Sequence, residues 1–507
     1  MSMERGKAVV AVLAALQTLA ISEAALAQPT SAPPSQTGGG PYPPTSTTQS
    51  EVPNELLRVN PGGYTADRVG QRAMATSFAA KAQEGTLRSA AARLDVAWAA
   101  FLPRLTGTAR YTRLSDFSPP SFGAPPGVSA VYTLAPPGTI NPTPTESQSA
   151  SISLPLVLDN YLLQGTITVP ISDYFLRINQ NYSAATHSQE AARFDLASAR
   201  VTSAANGKIA FYTWLRSRGA VIVAVQALND QKIHLELARN QFAVGQASRA
   251  DVLRAETNVA SAELALERAK NLADLSEKQV RVAVHAKDDE PLLPGESLES
   301  VLPPVQGNIR ELENEALATR LEIKSIDANA ASARETAKAM RGAGYPALSA
   351  FADGIYANPN PRRFPQTNEW FPTWDLGAQV VWSPNDTIAA RGNASDYEAR
   401  AGALEAQKGT TRDNIEVEVV QSYQAVREAD FSIDSAQREL ASAEEAYRVA
   451  RELFNNGRAT STTLTDAETE LTRSRLDLLN ARADARTARV RLEHALGRDV
   501  RMASGTP

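Results

Sequence analysis

The chain has 507 residues, a net charge of −5, 6% aromatic residues and no cysteine. That balance carries no basic footprint for nucleic acid, and the missing thiols exclude both disulfide staples and a lipid anchor attached through cysteine. Few aromatics beside plentiful alanine suit long, closely packed helices better than a thick globular core.

Residues 1–27 read as a secretory signal: Arg5 and Lys7, an apolar stretch from Ala8 to Ile21, and the small-x-small cleavage site Ala25-Leu26-Ala27. No later run of 18 or more apolar residues follows, so no transmembrane helix is expected. Residues 28–63, rich in Pro, Ser, Thr, Gly and Gln, predict a disordered segment.

A first repeat is assigned to 64–287. It opens at the N-cap type residue Thr65 and carries a weak strand signal from Leu105 to Arg113. Ser115 to Ser149, dense in Pro, Gly, Ser and Thr, predicts a long exposed loop. Leu163 to Ile171 then alternates apolar and polar residues, the strand period. From about 174 to 244 the pattern is helical, with a heptad seam through Val221, Ala224, Leu228, Gln231, Leu235, Ala238 and Phe242. A helix of that length spans roughly 105 Å. Gly245-Gln246 is placed to end it, and a second seam returns through Val252, Ala255, Val259, Ala262 and Leu266. The predicted unit is a long antiparallel helical hairpin.

Residues 288–307, with Pro291, Pro294, Pro303 and Pro304, form a linker, and 308–498 repeat the layout. Phe211/Tyr423, Phe242/Phe454, Gly245/Gly457 and Leu266/Leu478 all match at an offset of 212. The starts of the copies match at 243, as in Thr65/Asn308, Lys81/Lys324 and Leu105/Leu348. The difference, 243 − 212 = 31, places 31 extra residues in the first copy between about 105 and 170. A repeat of this size is a duplicated half-protein. The apolar parity of Leu163–Ile171 disagrees by one residue with that of Asp375–Trp382, which predicts an indel at the strand–helix junction. Residues 499–507 form a short tail, expected to fray from Arg498 onward.

Trp370, Phe371, Trp374 and Trp382 gather about the last strand. Alternation with clustered aromatics is the pattern of a membrane barrel strand with an interfacial girdle. Four strands per chain cannot close a barrel, and an open edge in lipid is not viable. Three chains would supply twelve strands. The expected architecture is mainly α with a membrane β part: a trimeric 12-stranded barrel continuing into a long helical barrel. The histidines His187, His234, His285 and His494 lack paired ligand spacing, so a helix-surface place is expected for each, and no metal or other cofactor.

The duplicated unit, the junctions Leu102-Pro103-Arg104-Leu105 and Tyr345-Pro346-Ala347-Leu348, the F-x-x-G turns and the terminal Ala495-Leu496-Gly497 resemble TolC-type outer membrane efflux proteins over about 64–498. The resemblance implies a homotrimeric channel in outer membrane lipid. It also implies docking to an inner-membrane pump through a periplasmic adaptor protein, for efflux or type I secretion. It further implies a gate at the periplasmic tips. Acidic residues six and nine after the second turn glycine narrow the pore in that family; here those positions hold Thr463 and Asp466, so one of two acidic rings is missing. Asp251 stands at the family's latch position. Its partners there, a tyrosine and an arginine, are here Phe454 and Ala459, with Arg458 one residue early. An Asp251–Arg458 pair would contribute about 0–1 kcal/mol, in keeping with a latch that opens. The tip turns read Gly245-Gln246 and Gly457-Arg458.

Two other classes compete. A periplasmic adaptor would carry one hairpin flanked by Gly-rich β domains, and a coiled-coil spacer would not need Trp-rich alternating strands. No nucleophile motif, metal cluster or phosphate loop points to an enzyme.

Overall fold

A computed structural model describes residues 59–116, 157–287, 289–364 and 366–499. The signal segment, residues 28–58 and nearly all of the predicted 115–149 loop lie outside them. Residues 59–63, expected to be disordered, are tied to the linker: the Asn60 amide donates to the Pro294 carbonyl at 2.9 Å.

Each copy begins with a broken helix. Helices α1 (Ala66–Thr76) and α2 (Phe78–Ala99) are separated at Ser77, φ −53° and ψ 127°. Strands β1 (Arg104–Arg113) and β2 (Asp159–Val169) follow. A helical turn, Ile171–Asp173, passes through a π turn, Tyr174–Ile178, into α3 (Asn179–Ala243), and α4 (Arg249–Val284) returns. The second copy holds α5 (Ile309–Thr319), α6 (Leu321–Gly342), β3 (Ala347–Asn358), β4 (Phe371–Val381), α7 (Pro384–Asn455) and α8 (Ser461–Ala495). Its first helix breaks at Arg320, φ −59° and ψ 127°. Thr65 and Asn308 cap the copies through their side chains, as their residue types predict. At 65 residues, α3 is about 98 Å long by the α-helical rise.

The expected strands form, but with shifted ends. Ile171 is helical and the apolar run of β2 stops at Val169, because Pro170 donates nothing to a ladder. Among the described residues one antiparallel sheet runs β1-β2-β3-β4, with β1 and β4 unpaired on their outer sides.

The registers locate the predicted indel. Arg104 faces Thr168, and Ala347 faces Val381. Arg104 and Ala347 are 243 apart; Thr168 and Val381 are 213 apart, not 212. Helix starts Ile171 and Pro384 keep the offset of 213. The turn glycines return to 212. One residue is therefore surplus in copy one, and the π turn 174–178 sits where the offset changes. A π turn takes one more residue than an α turn at little cost to the helix around it. Of the 31 extra residues, 30 belong to the β1–β2 connection and one to this turn.

Two apolar clusters fill the middle of the helical region. One joins Val69, Phe211, Trp214, Val280 and Val284 to the linker residues Leu292 and Leu298. The other joins Leu312, Ala316, Val419, Val426, Leu492 and Leu496. They are pseudo-equivalent: Val69/Leu312 at 243, Val280/Leu492 and Val284/Leu496 at 212. The linker is packed as a strap. Tyr212 Oη donates to Glu296 Oε1 at 2.8 Å, and buried Arg486 donates to the Ser300 carbonyl at 2.9 Å. Arg498 and Asp499 are anchored where fraying was expected: Arg498 pairs with Glu315 at 2.8 Å and Asp499 is buried; residues 500–507 lie outside the described residues.

Candidate pore gate and barrel wall

Pairing assigns every strand residue to a face. One face carries Leu105, Gly107, Ala109 and Tyr111 from β1 and Tyr161, Leu163, Gly165 and Ile167 from β2. It continues through Tyr356, Gly354 and Ala352 on β3 to Pro372, Trp374, Leu376 and Val380 on β4. The other face is mainly polar: Arg104, Thr106, Thr108, Arg110, Asn160, Gln164, Thr166, Asp353, Thr373, Asp375 and Gln379, with Leu162, Phe351, Ile355 and Val381 among them. It is internally bonded, with Gln164 Nε2 donating to Asp353 at 3.1 Å and Arg362 pairing with Asp375 at 2.9 Å. On the apolar face Leu105 is 75% exposed, Trp374 79% and Leu376 74%. So large an apolar surface on one side of a sheet marks contact with lipid or another chain. Strands of ten to twelve residues suit a tilted crossing of the hydrocarbon layer, which needs roughly 9–11.

The four predicted girdle residues occupy three levels. Trp370 stacks on Tyr356 at 4.9 Å and meets Tyr161 at 5.9 Å, and Tyr161 meets Tyr111 at 5.0 Å. Trp374 lies mid-strand. Trp382 lies past the other end of β4, at the junctions where Trp98, Phe175 and Tyr345 are also exposed. Phe371 falls on the polar face, under Arg363. The sequence pattern missed the tyrosines, because they come from three strands that only the register brings together.

At the hairpin tips both turn glycines take positive φ, 77° at Gly245 and 68° at Gly457. The Gly245 amide donates to Phe242 O and the Gln246 amide to Gln241 O; Gly457 and Arg458 repeat this with Phe454 O and Leu453 O. This is the paired-bond C-terminal stop that glycine permits. Ser248 and Thr460 then cap the returning helices.

Thr463 and Asp466 are exposed on one side of α8, opposite buried Leu464 and Glu468. Asp466 has no hydrogen bond or ion pair among the described residues, and Thr463 contacts the cap residue Thr460 at 3.0 Å. Asp251 completes a capping box, accepting from Ser248 Oγ at 2.7 Å and Ser248 N at 3.1 Å. The Ser248 hydroxyl, then its amide, holds this carboxyl below the usual carboxylate range. Asp251 does not reach Arg458 within the chain: the carboxylate is committed to its own helix end. The cross-tip contact from α4 is instead Arg254 Nη1 to Thr462 Oγ1, 3.4 Å. Phe454 is buried against Ala450 and Leu464.

His234 corrects the surface expectation. It is 2% exposed, between Glu468 Oε2 at 3.1 Å from Nδ1 and Ser461 Oγ at 3.2 Å from Nε2. Its offset partner is Ala446, and that mismatch between copies was the one available signal. Among the described residues no group of three or more His, Asp or Glu side chains could hold a metal ion.

A family model described as "Outer membrane efflux protein" matches residues 69–284 and 312–498. Among solved structures, the outer membrane protein VceC of Vibrio cholerae aligns at 18% identity, covering 85% of this chain and 96% of that one, TM-score 0.67. The CmeC outer membrane channel of Campylobacter jejuni aligns at 15%, covering 92% and 94%, TM-score 0.66. The open state of the MtrE outer membrane channel of Neisseria gonorrhoeae aligns at 15%, covering 85% and 88%, TM-score 0.67. At these identities the likeness shows a shared fold. No curated protein matches the sequence.

Proposed function

Because this chain belongs to the outer membrane efflux protein family, we propose that three copies close one pore through the outer membrane and continue it into the periplasm. The observation that carries this is the sheet: one apolar face, one mainly polar face, and, among the described residues, two unpaired edges on β1 and β4. An edge exposed in lipid leaves backbone groups without partners. Pairing β4 of one copy with β1 of the next removes every edge, and three copies give twelve strands with the polar face lining the lumen. Cyclic symmetry is the common way to close such a ring. The helical hairpins extend the lumen toward an inner-membrane pump, reached through a periplasmic adaptor protein. At the tips, three Asp466 side chains ring the axis and raise the local negative potential, which favours cations. Thr463 supplies a neutral second ring, so the barrier is set by one acidic ring.

Single-channel recording of purified protein in planar bilayers tests both parts. Expected are stable pores whose cation preference falls in Asp466→Asn. Pores with unchanged selectivity would remove Asp466 from the gate and leave the channel. A protein that stays monomeric and needs no detergent would overturn the pore itself.

A further inference from the structure

The connection between β3 and β4 bends over one face of the sheet. Asn360, Pro361, Arg362 and Arg363 make a tight turn, closed by the Arg363 amide on the Asn360 carbonyl at 3.2 Å, with proline at its second position. The Asn360 side chain, 3% exposed, accepts from the Arg362 amide at 2.9 Å. Its Nδ2 donates to Phe371 O at 2.8 Å and to Thr373 Oγ1 at 3.1 Å. Arg362 reaches Asp375 at 2.9 Å, and the Arg363 guanidinium lies 4.9 Å from the centre of the Phe371 ring. Phe371, Thr373 and Asp375 share the mainly polar face. Resting on the reading of that face as the lumen wall, we propose that these turns, one from each copy, form a collar that narrows the outer mouth of the pore. Arg362, by tying the turn to Asp375, sets the largest solute that leaves.

Place, depth and charge support it. The helices join the opposite ends of all four strands, so this connection lies at the end of the barrel away from the helical part. Asp375 stands four residues along β4 from its first residue, Phe371, a distance of about 13 Å at the usual strand rise. Arg362 meets it because the turn folds back along the wall instead of projecting from the rim. Asp353 and Asp375 are direct cross-strand partners, and like charges so placed oppose pairing. Asp353 accepts from Gln164 at 3.1 Å and from Thr166. Among the described residues the ionic partner of Asp375 is Arg362. The wall thus takes from the turn the charge that offsets its own repulsion, and that need keeps the turn inward.

The test reads potassium chloride conductance of full-length trimers in planar bilayers, with neutral polyethylene glycols of graded length as sizing probes. Arg362→Gln and Asp375→Asn both untie the turn, so each is expected to raise conductance and shift the exclusion limit to longer polymers. The two differ in stability. Arg362→Gln leaves the aspartates facing each other and is expected to lower the heat stability of the trimer. Asp375→Asn removes the repulsion, and it serves if the first variant assembles poorly. Exchanging the charges, Arg362→Asp with Asp375→Arg, is expected to return the limit toward its original length. A limit unchanged in both single variants, or a change in ion preference alone, would overturn the collar. In this cysteine-free chain, Arg363→Cys gives one thiol per copy for a bulky charged reagent, and block of current is expected. Open pores that the reagent does not block put the turn outside the lumen and sink the collar while the channel stands. No pores from the unmodified protein would sink the lumen reading and the collar together.

Discussion

Among the described residues four helix ends use the same paired-bond stop, and the residue at its left-handed position differs in one of them. Gly245, Gly457 and Gly497 have φ of 77°, 68° and 66°, while His285 has 48°. His285 is the offset partner of Gly497, and it recovers contacts: its ring meets Phe78 edge-on at 4.6 Å and its Nδ1 lies 3.1 Å from Thr76 Oγ1. The glycines are not equal either. A Cβ on Gly457 meets nothing within 4 Å, whereas one on Gly497 comes within 2.8 Å of Thr319 Oγ1. Gly457→Ala is therefore expected to cost about 1–2 kcal/mol through φ alone, read as faster proteolysis at the tip with little change in global unfolding. Gly497→Ala adds a clash in the packed middle and is expected to lower the unfolding midpoint clearly; equal effects would contradict this account. The two tip stops were legible in the sequence as F-x-x-G turns. The fate of Asp251 was not: a carboxylate three residues after a serine satisfies a capping box as readily as a latch, and only coordinates decide.

Among elements, helices were the most legible, because seams such as Val221 to Phe242 persist over many turns. Strand ends were less so, since Pro170 stops β2 two residues inside the alternating run. The surplus residue was visible as a parity conflict and placed at the strand–helix junction, yet the turn that takes it up was hidden, because a π turn leaves no mark in apolar spacing. A paired deletion tests that site. Removing one residue within 174–178 is expected to leave assembly and heat-stable mobility intact, since copy two makes the same junction without it. Removing Thr166 inverts the faces of the strand beyond it and is expected to abolish assembly. The linker strap carries a pH signature. Hydrogen bonds from Arg72, at 2.8 Å, and from Tyr64 hold the Glu290 carboxyl down to about 2, against 4.5 for an ordinary glutamate. A depressed carboxyl stabilises the fold above its unfolded pKa and loses that effect as pH falls through the folded one. Glu290→Gln is expected to flatten the fall in stability between pH 4.5 and about 2, measured by acid unfolding, and a variant with an unchanged acid limb would exclude this contact.

For the whole molecule, the duplication and the membrane-type strands were enough to reach the family, while the tip chemistry stayed out of reach. The family's latch residues are only partly present, and the buried His234–Glu468 contact joins residues 234 apart with no spacing rule to connect them. Symmetry between the copies holds in the sheet, in the apolar pairs of the packed middle and in the tip turns, and it lapses in the polar contacts near the tips. The π turn shows how the copies can also differ in length without losing that correspondence. It works as an expansion joint: an added residue is taken up within one loosened turn, and the sheet before it and the hairpin after it keep their alignment. Either copy can thus gain or lose a residue at this joint as the sequences drift apart, and a designer seeking a silent point of insertion in the duplicated chain would begin there.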